Sequence, residues 1–575
     1  MSLTRSLVSL AAAALLLAGC ASIPTEGPVE EGNADVSPVE PLVPIQEGPE
    51  QSDNPQAIVT GFLAASASGV ATNFDVAREF LTDEAAALWD PGARTLVYDS
   101  GAVTPEWDEP TALATYEVAL ASAIDESGRR VDAADDQVAQ IAFTLEQQSD
   151  GQWRISELED GVVISLANFN RFYRSVDLVF ATTDRTTAVP EVRWLPDNNI
   201  ATAAARELIE GPSSWLADAV LTGFPAAASL AVQSVVVTDG VATVDLSAQS
   251  AGTADERALA LEQMRLTLTA LPTVTGVEVN IGGLELAQEG ALTLAAAPVP
   301  DALAATIVQG RLGLWDGTVM RATPLGSGAV PSDSRGLARS FGGQVAFIVD
   351  EGTLVVSDAL AGEDPPLVEV DGELEPAQGQ AFTSTRYQGT SLVTPSYDRH
   401  GYVWTSETAD PSSLVAIAAD GTVTELATEW LKARTVMGLS VSRDGARVAV
   451  VSRAGGQPVV EVAALVRDSN GVPLGVGEPI AMGAGVGTGV DVSWMDTTTV
   501  GVLGELVEGS PTPLWSIEAG GATSVVSTIR DGVEFAVRSG EATLLAVNLE
   551  GRVEERSGSS WAPVATGVTE IAYSG

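Results

Sequence analysis

The chain has 575 residues, with 29 Lys plus Arg against 77 Asp plus Glu and a net charge of −48. Such an acidic excess argues against nucleic acid and anionic headgroups as partners of the folded body, because phosphate binding needs a basic patch. A hydrophobic fraction of 45% supplies material for several cores, while one Cys and one His leave no disulfide and no His-based metal site to build.

The first element is a signal segment over 1–19. Arg5 gives a positive start, Leu7 to Leu17 an apolar core, and Leu17-Ala18-Gly19-Cys20 reads as a lipobox, with the small residues Ala18 and Gly19 before a cysteine. Cleavage between Gly19 and Cys20 is expected, leaving Cys20 as an N-palmitoyl and S-diacylglycerol cysteine. An apolar run of about 11 residues is too short to span a bilayer, which takes roughly 20. The later run 291–308 is broken by Pro298 and Pro300. One lipid is therefore expected to be the whole membrane attachment, on the extracytoplasmic face.

From 20 to 54 the chain reads as an unfolded tether. Its six prolines and eight acidic residues, without a basic one, favour an extended linker. Fully stretched it reaches at most ~110 Å. It serves either as a linker across a cell-wall layer or as a passive spacer.

A first α+β domain is expected over 55–175. Asn54 caps a helix that begins at Pro55 and sets Ile58, Phe62 and Ala65 on one face. A short helix follows at Phe74 to Leu81. Strands are expected at Ala114 to Ile124, Gln137 to Leu145 and Trp153 to Ser156, the last after an Asp150-Gly151 turn. Helices followed by an antiparallel sheet resemble the cone-shaped domains of the nuclear transport factor 2 superfamily.

A second α+β domain is expected over 176–297. Val176 to Ala181 reads as a strand, Val189 to Trp194 as a segment leading into a helix at Ala201 to Ile209, and Glu210-Gly-Pro-Ser213 as the stop of that helix. Gln233 to Val237 and Val241 to Leu246 flank Asp239-Gly240, a type I′ hairpin signal. Leu259, Met264, Leu266 and Leu268 lie in a helix ending before Pro272, and Gly276 to Ile281 is a strand. The run Val189-Pro-Glu-Val-Arg-Trp194, the stop Leu208-Ile-Glu-Gly-Pro212, Gly223-Phe-Pro225 and Asp239 to Ser247 resemble the GerMN domain. With the lipobox and the acidic Ile23-Pro24-Thr25 tether, the whole chain resembles the actinobacterial lipoprotein LpqB family. Glu26 stands where a small residue is usual.

After a linker at 298–309, residues 310–575 carry a loose repeat. Ser340 to Ile348, Ser396 to Trp404, Val441 to Val451 and Val492 to Val502 each read as strand, polar turn and stronger strand. The anchors Asp398, Asp444 and Asp496 are spaced near the ~40–50 residues of a four-stranded propeller blade. A β-propeller of about five or six blades is favoured over a two-sheet sandwich. The LpqB resemblance implies such a propeller as well.

The chemistry on offer is sparse. Asp-Gly pairs at 316, 371, 420, 444 and 531 read as hairpin turns. No Asp-x-Asp-x-Asp-Gly series marks a calcium loop. His400, between Arg399 and Gly401, reads as a turn residue, and a Ser-His-Asp triad would depend on it alone. Trp494, Trp515 and Trp561 sit in apolar strand patterns. No catalytic, cofactor-binding or metal-ligating residue is nominated, and the chain is expected not to be an enzyme. The expectation is a binding protein of the cell envelope. The resemblance implies a partner, the extracellular region of the sensor kinase MtrB, and a role in MtrAB two-component signalling and envelope homeostasis. The competing expectation is a glycan-binding or glycan-processing protein acting through the propeller face.

Overall fold

The computed structural model describes residues 47–575 apart from 52, 100–103, 135, 287–291, 318–319, 323–329, 358–366, 371–372, 377–382 and 410. The signal segment, Cys20, almost all of the tether and Asp371 lie outside the described residues.

The helix Pro55–Gly69 begins where the sequence places it: Asn54 Oδ1 accepts the Ala57 amide at 2.9 Å, with proline at the first helical position. Its face of Ile58, Val59, Phe62 and Ala65 is buried. Phe62 meets Trp89 and Phe143 edge-on at 5.2 and 5.9 Å. The sheet behind it runs Trp153–Glu157, Val138–Gln147, Leu113–Asp125, Arg94–Tyr98 and Val162–Ser165. Arg94–Tyr98, Val162–Ser165 and the short helices Asp83–Leu88 and Leu166–Phe172 are additions to the sequence reading. Between the strands expected at 114–124 and 137–145 lies a further one, Arg130–Asp132, paired to Leu113–Asp125.

The second domain has two sheets. Tyr173–Thr182 pairs with Ala188–Pro196, and Val220–Leu221 borders the first of these. Val236–Thr238 and Val241–Leu246 form the expected hairpin: Asp239 and Gly240 have φ of 50° and 80°, both left-handed as a type I′ turn requires. Val241–Leu246 then pairs in parallel with Gly276–Ile281, and the crossover is the helix Ala254–Thr269. Thr253 and Glu256 close a capping box at its start. Within this helix Leu259, Met264 and Leu268 are buried, while Leu266 is half-buried at the edge of a smaller cluster.

Beyond it the chain is nearly all strand and, among the described residues, forms a propeller of six blades together with a separate two-stranded sheet, Leu367–Val370 with Glu373–Pro376. The innermost strands of blades 1 to 6 are Arg335–Arg339, Ser396–Tyr397, Arg434–Val441, Asp491–Trp494, Gly532–Val537 and Val568–Ala572. They touch one another in that cyclic order, and the sixth meets the first. Blade 6 is closed from both ends of the region: Ala304–Val308 pairs antiparallel with Val568–Ala572, in the register Ala305↔Ala572 and Thr306↔Ile571. Ala304–Val308 therefore forms a strand within the stretch expected to be linker. The prolines at 298 and 300 end the preceding domain, and the β-branched, apolar residues behind them pair at once.

The anchor aspartates recur for a structural reason. Asp398 Oδ1 accepts the amides of His400 and Tyr402, both at 2.9 Å. Asp444 accepts from Ala446, and Asp496 from Thr498 and Thr499. Each carboxylate folds the turn after an inner strand, and in blade 1 Ser340 Oγ does the same for Gln344. Asp398 and Asp444 also hold buried Arg467 and Arg447, which lie 5.3 and 4.8 Å from the ring centroids of Trp404 and Trp494.

Candidate functional site

The three folded regions meet at a seam built from a few polar residues. Arg447 of blade 3 has only 2% of its side chain exposed. It donates to Pro190 O at 3.0 Å in the second domain, to Thr497 O at 2.6 Å in blade 4, and to the Asp444 carboxylate. Such burial is tolerable because the charge is matched by Asp444 and both terminal nitrogens have acceptors, while Nε is left without a partner. Arg399 makes a parallel clamp, donating to Asp444 O at 2.8 Å, to Thr186 Oγ1 at 3.1 Å and to the Asp184 carboxylate. Burial alone would raise the pKa of Asp184, but hydrogen bonds from Thr182, Thr186 and Arg399 and the charge of Arg399 pull it down to about 2. Thr183 Oγ1 adds a bond to Asp468 O at 3.0 Å. The apolar core of the second domain takes in Ala446 and Ala464 of blade 3.

Gly520, in a turn of blade 4, joins all three regions. Its carbonyl accepts from Trp194 Nε1 of the second domain at 3.1 Å and from the Arg130 amide of the first at 3.4 Å. Gly520 has φ +88°, and a Cβ there would lie 2.9 Å from Val192 O, so the contact requires glycine twice over. Three residues on, the Thr523 amide donates to Asp132 Oδ2 at 2.6 Å. The Arg130 guanidinium is 5.1 Å from the ring centroid of Trp194 and 5.5 Å from that of Phe169, with Nε on Asp132 Oδ1 at 2.9 Å. Arg193, next to Trp194, is buried on Glu191 at 2.8 Å and donates to Ser127 O in the first domain.

Beside this seam a cleft of about 500 Å³ opens between the first domain and blades 3 and 4. Arg129, Val131 and Asp132 form one wall. Ile480, Met482 and the loop Gly483-Ala484-Gly485-Val486-Gly487 form the other, and Glu518 also lines the cleft. Burial, and repulsion from Asp177 and Asp496, push the Glu518 carboxyl up against the pull of Arg130. The walls are mixed polar and apolar, suited to binding.

His400 lies in the turn held by Asp398, with its ring over Gly471. Burial and the charges of Arg399 and Arg467 depress its pKa. Among the described residues no group of three or more His, Cys, Asp and Glu is placed to hold a metal ion. Trp494 and Trp515 are 2% and 8% exposed, and Trp561 is half-buried with Nε1 on Ser527 Oγ at 2.9 Å, so the three pack rather than display their faces. The seam residues were within reach of the sequence only in part. Val189 to Trp194 stood out as a motif, but its destination at Gly520, 326 positions away, left no local mark.

Three family models match in series: the N-terminal domain of lipoprotein LpqB over 48–170, the sporulation and spore germination Germane domain over 172–287, and the LpqB β-propeller domain over 322–571. A lipoprotein LpqB of Thermobifida fusca is 29% identical over 580 residues, covering 88% of this chain and 88% of that protein. One of Cutibacterium acnes is 28% identical over 547 residues, covering 90% and 89%. Among solved structures, the first GerMN domain of the sporulation protein GerM from Bacillus subtilis aligns at 20% identity and a TM-score of 0.18, over 21% of this chain and 93% of that one. Since the N-terminal and propeller models of one lipoprotein bracket the Germane domain, and full-length relatives keep that order along most of their length, the chain belongs to the lipoprotein LpqB family.

Proposed function

We propose that this chain is a lipid-anchored envelope protein that acts by binding. Cys20, carrying diacylglycerol and palmitate, holds it on the extracytoplasmic face of the cell membrane, and the acidic tether lifts the body from the headgroups. The body engages the extracellular region of the sensor kinase MtrB and tunes MtrAB signalling in envelope homeostasis. The observation that carries the reading is the seam: buried polar contacts tie three domains together around a concave cleft of about 500 Å³. The partner's contact is assigned to that cleft, where two domains are touched at once. No helix among the described residues is long and apolar enough to cross a membrane, which agrees with attachment by lipid. Glycan binding through the propeller face has less support, because Trp494 and Trp515 are covered.

The test pairs fractionation with capture. Cys20→Ala should move the chain from the membrane to the soluble fraction while leaving capture of the MtrB extracellular region in vitro intact. Val131→Glu with Met482→Glu should abolish capture. Retention of Cys20→Ala in the membrane would defeat the anchor, and wild-type capture by the cleft variant would defeat the docking place.

A further inference from the structure

The six inner strands of the propeller run side by side around a central cavity of about 80 Å³. They are held by side chains that accept backbone amides from the next strand. Ser396 Oγ of blade 2 accepts the Val441 amide of blade 3 at 3.0 Å, and Ser440 Oγ of blade 3 accepts the Trp494 amide of blade 4 at 3.4 Å. The next three seams use carboxyl groups instead. Asp491 of blade 4, whose Oδ1 accepts the amide of its neighbour Val492 at 2.8 Å, is also acted on by the Phe535 amide of blade 5. Glu534 of blade 5 accepts the Ile571 amide of blade 6 at 3.1 and 3.2 Å through its two oxygens. Glu570 of blade 6 accepts from Gly336 and Leu337 of blade 1 at 2.9 and 3.2 Å. The last of these seams joins the C-terminal inner strand to blade 1.

Asp491 and Glu534 thus line the channel, and Glu570, at the next seam, repels Glu534. On blade 1, Arg335 faces Glu570 and partly offsets it, but Arg335 also donates to the carbonyls of Glu351 and Leu392, both at 3.3 Å. Arg443, beyond the inner strand of blade 3, also lines the channel; it bonds the carbonyls of Trp494 at 3.2 Å and Val537 at 3.4 Å, and the charge that acts on it is Asp496. On blade 6, Tyr573 also lines the channel, and its phenol is pushed up by burial. The strand of blade 2 brings only Thr394, Pro395 and Ser396 to the channel wall.

We propose that the half of the ring from blade 4 through blades 5 and 6 to blade 1 is a proton-operated clasp, closed while its carboxyl groups hold protons and loosened as they ionise together. In support, burial raises the Asp491 carboxyl to about 6 against the pull of the Val492 and Phe535 amides. Burial and mutual repulsion push Glu534 up well beyond the ordinary range, and Glu570 moves the same way. Carboxyls raised in the fold bind protons more tightly there than in the unfolded chain. Their contribution to stability is full below the ordinary carboxyl range, about 4, and drains away as pH rises through about 6 and beyond.

Amide hydrogen exchange on the full chain, corrected for intrinsic rates, reads the clasp directly. Between about pH 5.5 and about pH 8, protection over 333–339, 533–537 and 568–573 should fall roughly tenfold, while 438–441, on the serine side, holds. Flat protection in the three segments, or an equal fall at 438–441, overturns the proposal. A chain carrying Asp491→Asn, Glu534→Gln and Glu570→Gln should lose the pH dependence and melt at least ~3 °C higher than wild type at about pH 8. A folded variant that keeps the wild-type pH dependence overturns it as well.

Discussion

Asp398 shows what one residue does in this propeller. Its carboxylate is fully buried and accepts from two amides, from Trp404 Nε1 at 2.8 Å and from Arg467 Nη2 at 2.6 Å. Removing it strands a guanidinium whose side chain is only 4% exposed. Asp398→Ala should therefore cost about 3–5 kcal/mol, the toll of leaving a buried charge uncompensated, measured as the shift of the urea unfolding midpoint at constant slope. The spacing of Asp398, Asp444 and Asp496 was legible in the sequence because turn geometry selects aspartate locally. Their burial against arginines 69 and 3 positions away, in the first two cases, was not. Nor was Ser340, which does the same work in blade 1 with a different side chain.

Among the elements, the long amphipathic helices and the Asp239-Gly240 hairpin were readable, since periodicity and turn chemistry act over a few residues. The short pieces escaped: Arg94–Tyr98 and Asp83–Leu88 are too brief to carry a period, and Ala304–Val308 is defined by its partner Val568–Ala572. The turn at Gly520 belongs to this scale too, because it joins a blade to two other domains. Gly520→Val would force a β-branched residue into φ +88° and drive a Cβ against the Val192 carbonyl. The seam should open, with the contacts of Trp194 and Arg130 to the Gly520 carbonyl lost. Limited proteolysis should then cut between the domains at least ~10-fold faster, while the propeller's own unfolding transition changes by less than about 1 kcal/mol.

For the molecule as a whole, ring closure is the controlling feature. Blade 6 takes its inner strand from the C-terminal side and its outer strands from 304 onward, so the propeller is held by contacts between residues more than 250 positions apart, such as Ile307 O with Thr569 Oγ1 at separation 262. Deleting 568–575 removes that strand together with Glu570. The expected outcome is loss of the cooperative thermal transition and binding of an apolar dye, because two blade edges and the core around Ala304, Trp315 and Ile571 are then exposed. Retention of a single sharp transition would show that closure is not what holds the ring.

The sequence by itself determined the succession of α+β, α+β and all-β regions, the turn positions and the scarcity of catalytic groups, because composition, periodicity and turn preference are local properties of the chain. Only the tertiary structure decided how the parts combine: six blades, a ring closed by Ala304–Val308, a seam centred on Arg447 and Gly520, and carboxyl groups set at the seams between inner strands. Those features join residues tens to hundreds of positions apart. Their energies come from burial and from matched polar groups that exist only once the strands are in place.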